Sequence, residues 1–107
     1  MSIEELNAVD GLGVSDDKKK LALLISDHLD WNNEYEHLIL LQDKINSYVS
    51  FIETEQYKSI YPEYNFNQFV IEIRFKFKIT DNCLKFINTA SQQIKQLNTI
   101  INYTILD

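Results

Sequence analysis

The strongest pattern in the chain runs from Gln68 to Ile79. Phe69, Ile71, Ile73, Phe75, Phe77 and Ile79 alternate with Val70, Glu72, Arg74, Lys76 and Lys78. A strand points successive side chains to opposite faces, so this period of two predicts a strand with one core face and one largely charged, wet face. Upstream, Leu21 to Ile25 reads LALLI, apolar at every position, which predicts a strand buried on both faces. Val9 to Val14 is a weaker strand signal, interrupted by Gly11 and Gly13. The polar turn from Ser15 to Lys18 would join these two strands as a hairpin.

Elsewhere the period lengthens to that of a helix. Leu38, Leu41, Ile45, Tyr48, Val49 and Ile52 recur at helical spacing and predict a helix from Glu34 to Gln56. Asn33 with Glu36 three residues later has the form of a capping box. Leu40 and Phe51 fall on the other side of that helix. Exposed, they would mark a partner or dimer patch. Covered, they would mean a helix packed on two sides. The stretch from Tyr57 to Asn67, marked by Pro62, reads as a loop. Thr80-Asp81-Asn82 stops the long strand and can cap a second helix, whose face would be Cys83, Phe86, Ile87, Ala90, Ile94 and Leu97. Thr99 to Leu106 predicts a last strand, with Ile101, Tyr103 and Ile105 on one side. The order ββαβαβ predicts an α+β fold, a two-layer sandwich of a largely antiparallel sheet and two amphipathic helices. No linker or repeat divides residues 1–107, so one domain is expected.

Composition narrows the class. The chain has 107 residues, 45% apolar and 24% charged, as an ordinary globular protein does. Cys83 is the only cysteine, so no intrachain disulfide can form, which suits a reducing compartment. The N-terminal MSIEELNAVDGLG lacks the apolar segment of a secretory signal. No apolar run approaches the roughly 20 residues that span a bilayer. A cytoplasmic protein with no membrane contact is the expectation. The net charge of -6 is unevenly spread. Residues 1–66 hold 13 acids and 5 bases, and residues 67–107 hold 3 acids and 5 bases, giving -8 and +2. The acidic part suits a basic partner and repels a phosphate backbone.

One resemblance can be read from particular segments. LLISDHLDW, followed by EYEHLILLQDKINSYVSFIETEQY, resembles a family of small bacterial proteins of unknown function, with ISDHLDW and LLQDKIN as the specific segments. The similarity continues from MSIEELNAVDGLG through VIEIRFKF to the C-terminal helix and strand. It implies a shared single-domain fold and carries over no catalytic residue. Small acidic bacterial proteins of this kind often look like immunity proteins, which neutralise a toxin domain; that step is an analogy of class.

Candidate chemistry is sparse. Asp27, His28 and Asp30 lie close together, and Glu34 and His37 stand one turn apart, so these five could supply metal ligands. Glu34-x-x-His37 echoes the pair used in di-iron bundles, which need four helices and further glutamates. The plain alternative is a helix-entry loop whose side chains satisfy free backbone N–H groups. Cys83 falls on an apolar helix face with no histidine placed to activate it. Arg74, Lys76 and Lys78 form a basic stripe, but the alternation sends Phe75 and Phe77 to the other face, which argues against stacking on nucleic acid. Tyr57, Tyr61, Tyr64 and Phe66 crowd one loop beside Glu53, Glu55 and Glu63. They are either a partner-binding surface or a lid folded over the core.

The expectation is a non-catalytic, cofactor-free binding protein, most concretely an immunity-type inhibitor of a basic toxin domain. Its contact residues would be Asp27, Asp30, Glu53, Glu55, Tyr57, Tyr61, Glu63 and Tyr64. The rival readings are a small metal-dependent enzyme built on Asp27, His28 and Asp30, and a housekeeping homodimer.

Overall fold

A computed structural model describes residues 2–6 and 8–106. Strands β1 (Gly11–Val14) and β2 (Lys20–Asp27) are followed by helix α1 (Glu34–Glu53), strand β3 (Gln68–Phe75), helix α2 (Asp81–Ile94) and strand β4 (Thr99–Ile105). Short 3-10 turns at Gln56–Ser59 and Lys95–Leu97 follow the two helices. The predicted order ββαβαβ is therefore the observed one.

The sheet has the order β1-β2-β3-β4. Only β1 and β2 are antiparallel, joined by a hairpin that sets Gly11 against Leu24 and Val14 against Leu21. The pairs β2–β3 and β3–β4 are parallel, aligning Ile25, Ile73 and Tyr103 across the sheet. The expected largely antiparallel sheet is thus corrected to a mixed one. The reason lies in the connections: each helix carries the chain back along the sheet, so the next strand re-enters in the same direction as the last.

Both helices cover the same face. Leu21, Leu23 and Ile25 of β2 and Phe69, Ile71, Ile73 and Phe75 of β3 are buried there, with Leu41, Ile45, Tyr48 and Ile52 of α1 and Cys83, Ile87 and Ile94 of α2. The opposite face, which includes Ala22, Leu24, Val70, Glu72 and Arg74, carries no helix and is half-buried or exposed. LALLI is therefore buried on one face only.

Element ends follow local pairing. Strand β3 stops at Phe75, four residues short of the alternation, because its neighbours stop there: Lys76 N–H donates to the Asp27 carbonyl and Leu106 N–H to the Phe75 carbonyl. Phe77 is accordingly exposed. Helix α1 ends at Glu53 because Glu55 takes a left-handed conformation (φ 58°), after which the 3-10 turn tucks Tyr57 into the core. The predicted caps form. Asn33 Oδ1 accepts from Glu36 N–H at 3.3 Å while the Glu36 carboxylate accepts from the Asn33 amide at 2.8 Å. Thr80 Oγ1 accepts from Cys83 N–H at 3.1 Å. Among the described residues no helix is long and apolar enough to cross a membrane.

Candidate functional site

The buried stripe of α1 contains two ionisable residues that a purely apolar reading of helical spacing passes over, His37 and Lys44. They fall at the same intervals as Leu41 and Tyr48, so the periodicity placed them in the core; their polarity hid them. Each is buried because each has a complete set of partners.

His37 Nε2 faces Asp27 Oδ2 at 2.6 Å, and His37 Nδ1 faces the Asp30 carbonyl at 2.9 Å. Asp27 is the last residue of β2, and its other oxygen accepts from Leu29 N–H at 3.1 Å. Trp31 stacks on the imidazole with ring centroids 3.7 Å apart. Its indole N–H is buried without an acceptor among the described residues, so stacking rather than its polar edge holds the ring. The carbonyl of Asp30 can only accept, so Nδ1 must carry a proton. A second proton lies in the Nε2–carboxyl hydrogen bond. No imidazole lone pair is left to take a proton from a substrate, and a general base needs one. As arranged, the pair clamps the end of β2 to the first turn of α1.

The other candidate ligands turn away from this pair. His28 is exposed and lies 3.3 Å from Glu4 Oε1. The Asp30 carboxylate accepts from the backbone and side-chain amides of Asn32. Glu34 accepts from the Asn82 amide at 2.9 Å, tying the start of α1 to the start of α2. Hydrogen bonds from Thr80 and Asn82 hold its carboxyl below the usual carboxylate range. Asp27, His28, Asp30, Glu34 and His37 therefore do not converge. Among the described residues no group of three or more His, Cys, Asp or Glu side chains is placed to hold a metal ion. Cys83 is fully buried, and burial first, then the nearby Asp27 and Glu34 charges, push its thiol up to about 12. A thiol so rarely ionised is a poor nucleophile.

The second buried network fastens the N-terminal segment. Lys44 Nζ donates to the carbonyls of Glu5 and Ala8 and to Asp10 Oδ1 at 3.0 Å. Asp10 Oδ2 accepts from Ser26 N–H at 2.9 Å. The Tyr48 hydroxyl accepts from Asp10 N–H at 2.8 Å and donates to the Leu24 carbonyl. Burial raises the Tyr48 phenol well above its ordinary value.

Of the predicted contact residues, Asp27 and Tyr57 are buried. Tyr61 and Tyr64 are half-buried and stacked on each other at 5.5 Å, with Phe66 set edge-on to both. Phe66 in turn meets Tyr57 and Phe69. Tyr57 enters the core and Tyr61 and Phe66 pack against it, so the tyrosine-rich loop folds over the core as a lid. Leu40 and Phe51 are half-buried against the core, so α1 is packed on two sides. Asp30, Glu53, Glu55 and Glu63 remain exposed, Glu55 paired with Lys58 at 3.0 Å.

The surface carries two further features. Along the outward ridge of α1 stand Tyr35, 78% exposed, and Ile39, 37% exposed, followed by Gln42, Asn46 and Glu53 at three-, four- and seven-residue steps. Glu36 and Asp43 flank them, both exposed. Sequence reading missed Tyr35; its place outside the apolar stripe, between Glu34 and Glu36, is the signal that could have found it. The second feature is a concavity of about 450 Å³ at the carboxyl ends of the parallel strands, lined by Ser26, Asp27, His28, Arg74, Lys76, Phe77 and Leu106. Its charge is opposite in sign to that of the α1 ridge.

No curated protein and no solved structure matches the chain. A family model does, over residues 1–107: the chain belongs to the family of unknown function DUF6572.

Proposed function

We propose that this chain is a non-catalytic binding protein that holds a basic partner against the outward face of α1. Its most concrete form is an immunity-type inhibitor that covers a basic toxin domain. One observation carries the reading: Tyr35 and Ile39 stand exposed on a helix ridge bordered by Glu36, Asp43 and Glu53. A large amphipathic ring ringed by charge has the makeup of an interface anchor. The groups that chemistry would need are engaged internally. His37 has no free lone pair, Asp27 is bonded through both oxygens, and Cys83 is buried. Two of the 13 acids of residues 1–66, Asp10 and Asp27, are buried against Lys44 and His37, and the exposed acids supply the field that a basic surface meets.

The test starts with capture of a partner from the native host by the full chain, then surface plasmon resonance against it. Tyr35→Ala speeds dissociation about 30-fold if the ring is a hot spot worth about 2 kcal/mol. Reversal of Glu36 and Asp43 to Lys mainly slows association and flattens its salt dependence. An acidic partner, or binding unchanged by both variants while circular dichroism reports a native fold, refutes the assignment. For the immunity form, the captured protein must also arrest growth when expressed alone and lose that effect on co-expression.

A further inference from the structure

The sheet has two edges of unlike character. Edge β1 has four residues, two of them glycine. Such a short edge offers little to pair with. Edge β4 is seven residues long, TIINYTI, with no charged residue, no proline and no glycine. Natural sheets guard long edges with lysines, prolines, bulges or a covering element, and the sequence of β4 supplies none of the residue guards. Ile100 is 41% and Tyr103 39% exposed on it.

The backbone direction along β4 follows from its two terminal rungs. Phe69 N–H donates to the Asn98 carbonyl at 2.9 Å, and Leu106 N–H donates to the Phe75 carbonyl at 2.8 Å. Successive residues of a strand alternate the side to which their N–H and C=O point. Even-numbered residues of β4 therefore bond β3, and Ile101, Tyr103 and Ile105 turn theirs away from the sheet. Thr99 points the same way but is buried.

We propose that a second copy of this chain pairs with β4, antiparallel and about a two-fold axis at Tyr103, to make one eight-stranded sheet. Three arguments select this occupant. An uncharged strand attracts no charged partner, and it meets its own copy with no like-charge contact. The register centred on Tyr103 sets Ile101 against Ile105 of the second copy and Tyr103 against itself, so every outward and accessible N–H and C=O is bonded. Two-fold pairing also closes the assembly: both long edges are consumed, and only the short, glycine-bearing β1 edges remain. A head-to-tail joining of β4 to β1 would instead leave a long edge open and grow. The assembly uses the edge of the sheet and is independent of the α1 ridge.

The register makes a sharp test. Asn102 opposes Thr104 of the second copy, and both side chains are exposed on the face without helices. Analytical ultracentrifugation of the full chain should show twice the 12.6 kDa chain mass. Asn102→Lys with Thr104→Lys puts ammonium groups directly opposite each other twice, and should weaken the dimer at least tenfold. Asn102→Lys with Thr104→Glu makes those contacts opposite in sign and should restore it. Gly13→Lys, on the β1 edge where an added Cβ would meet only the Ala22 Cβ at an ordinary contact distance of 4.0 Å, should leave it intact. A wild-type chain that is monomeric up to about 1 mM, a dimer that survives the double lysine variant, a Lys/Glu variant as monomeric as the double lysine, or a dimer lost with Gly13→Lys each overturns the proposal.

Discussion

Replacing Lys44 with Met tests whether the core is held partly by charge. The methionine keeps the stem of the side chain and removes the ammonium. Lys44 is fully buried, with three acceptors around its Nζ, and lies over the Tyr48 ring at 5.4 Å. The carbonyls of Glu5 and Ala8 lie in a partly buried setting and can turn to water. Asp10 cannot: its side chain is 1% exposed and still bound to Ser26 N–H. Leaving such a charge unpaired costs about 3–5 kcal/mol, a large share of the 5–15 kcal/mol typical of a domain. At about 4 °C per kcal/mol for a chain of this size, Tm should fall by about 12–20 °C. Urea denaturation followed by circular dichroism gives the free energy directly. Asp10→Asn alone should also destabilise, because it strands the ammonium. In the Lys44→Met background it should cost less than alone by about 1–3 kcal/mol, since an amide keeps the Ser26 bond without a charge. A loss below about 1 kcal/mol for Lys44→Met, or strict additivity of the two changes, would refute the argument.

Two further outcomes follow from the core. Ile73→Ala, at a fully buried site on β3 between β2 and β4, should cost about 2–5 kcal/mol in the same assay, and a value under about 1 kcal/mol would mean the site is not packed as described. Stability should also fall above about pH 9. Burial pushes the Cys83 thiol from its ordinary 9.0 up to about 12, so between those values the unfolded chain has released a proton that the folded chain keeps. The unfolded state then binds fewer protons, and stability declines by about 1.4 kcal/mol per pH unit from this group. The raised Tyr48 phenol acts in the same direction at higher pH. Cys83→Ala should flatten the decline between pH 9 and 11, and an identical slope in wild type and variant would contradict this account.

The elements were legible because their apolar residues obey simple periods. Phe69, Ile71, Ile73 and Phe75 alternate, Leu41, Ile45, Tyr48 and Ile52 step by helical turns, and all are buried. Caps at Asn33 and Thr80 were legible from local chemistry. Strand direction was not, because periodicity is the same for parallel and antiparallel neighbours and only the path of the connecting helix decides it. The end of β3 was missed for a related reason: the pattern reaches Ile79, but a strand persists only where a neighbour pairs with it. The candidate site was read less well. Asp27, His28, Asp30, Glu34 and His37 are close in sequence, yet only the Asp27 and His37 side chains meet, and the turn into α1 sends those of His28, Asp30 and Glu34 to other partners. Tyr57 was visible as an aromatic residue, while its burial depends on the left-handed Glu55 that sequence pattern does not disclose. Lys44 reads as surface by composition and is core by position.

The parallel pairing of β2 with β3 has a consequence for the order in which the chain can fold. Leu21 and Leu23 find their neighbours in Phe69 and Ile71, beyond the whole of α1 and the tyrosine-rich lid. A loop of that length must close before the central rung of the sheet gives anything back. The β1–β2 hairpin is therefore the only part of the sheet that an emerging chain can form early, and a lone two-stranded hairpin is marginal in water. During synthesis, the apolar strand LALLI stays without its central neighbour until β3 has left the ribosome. Its protection in that interval falls to α1, which follows it directly and can lay Leu41, Ile45 and Tyr48 across it first.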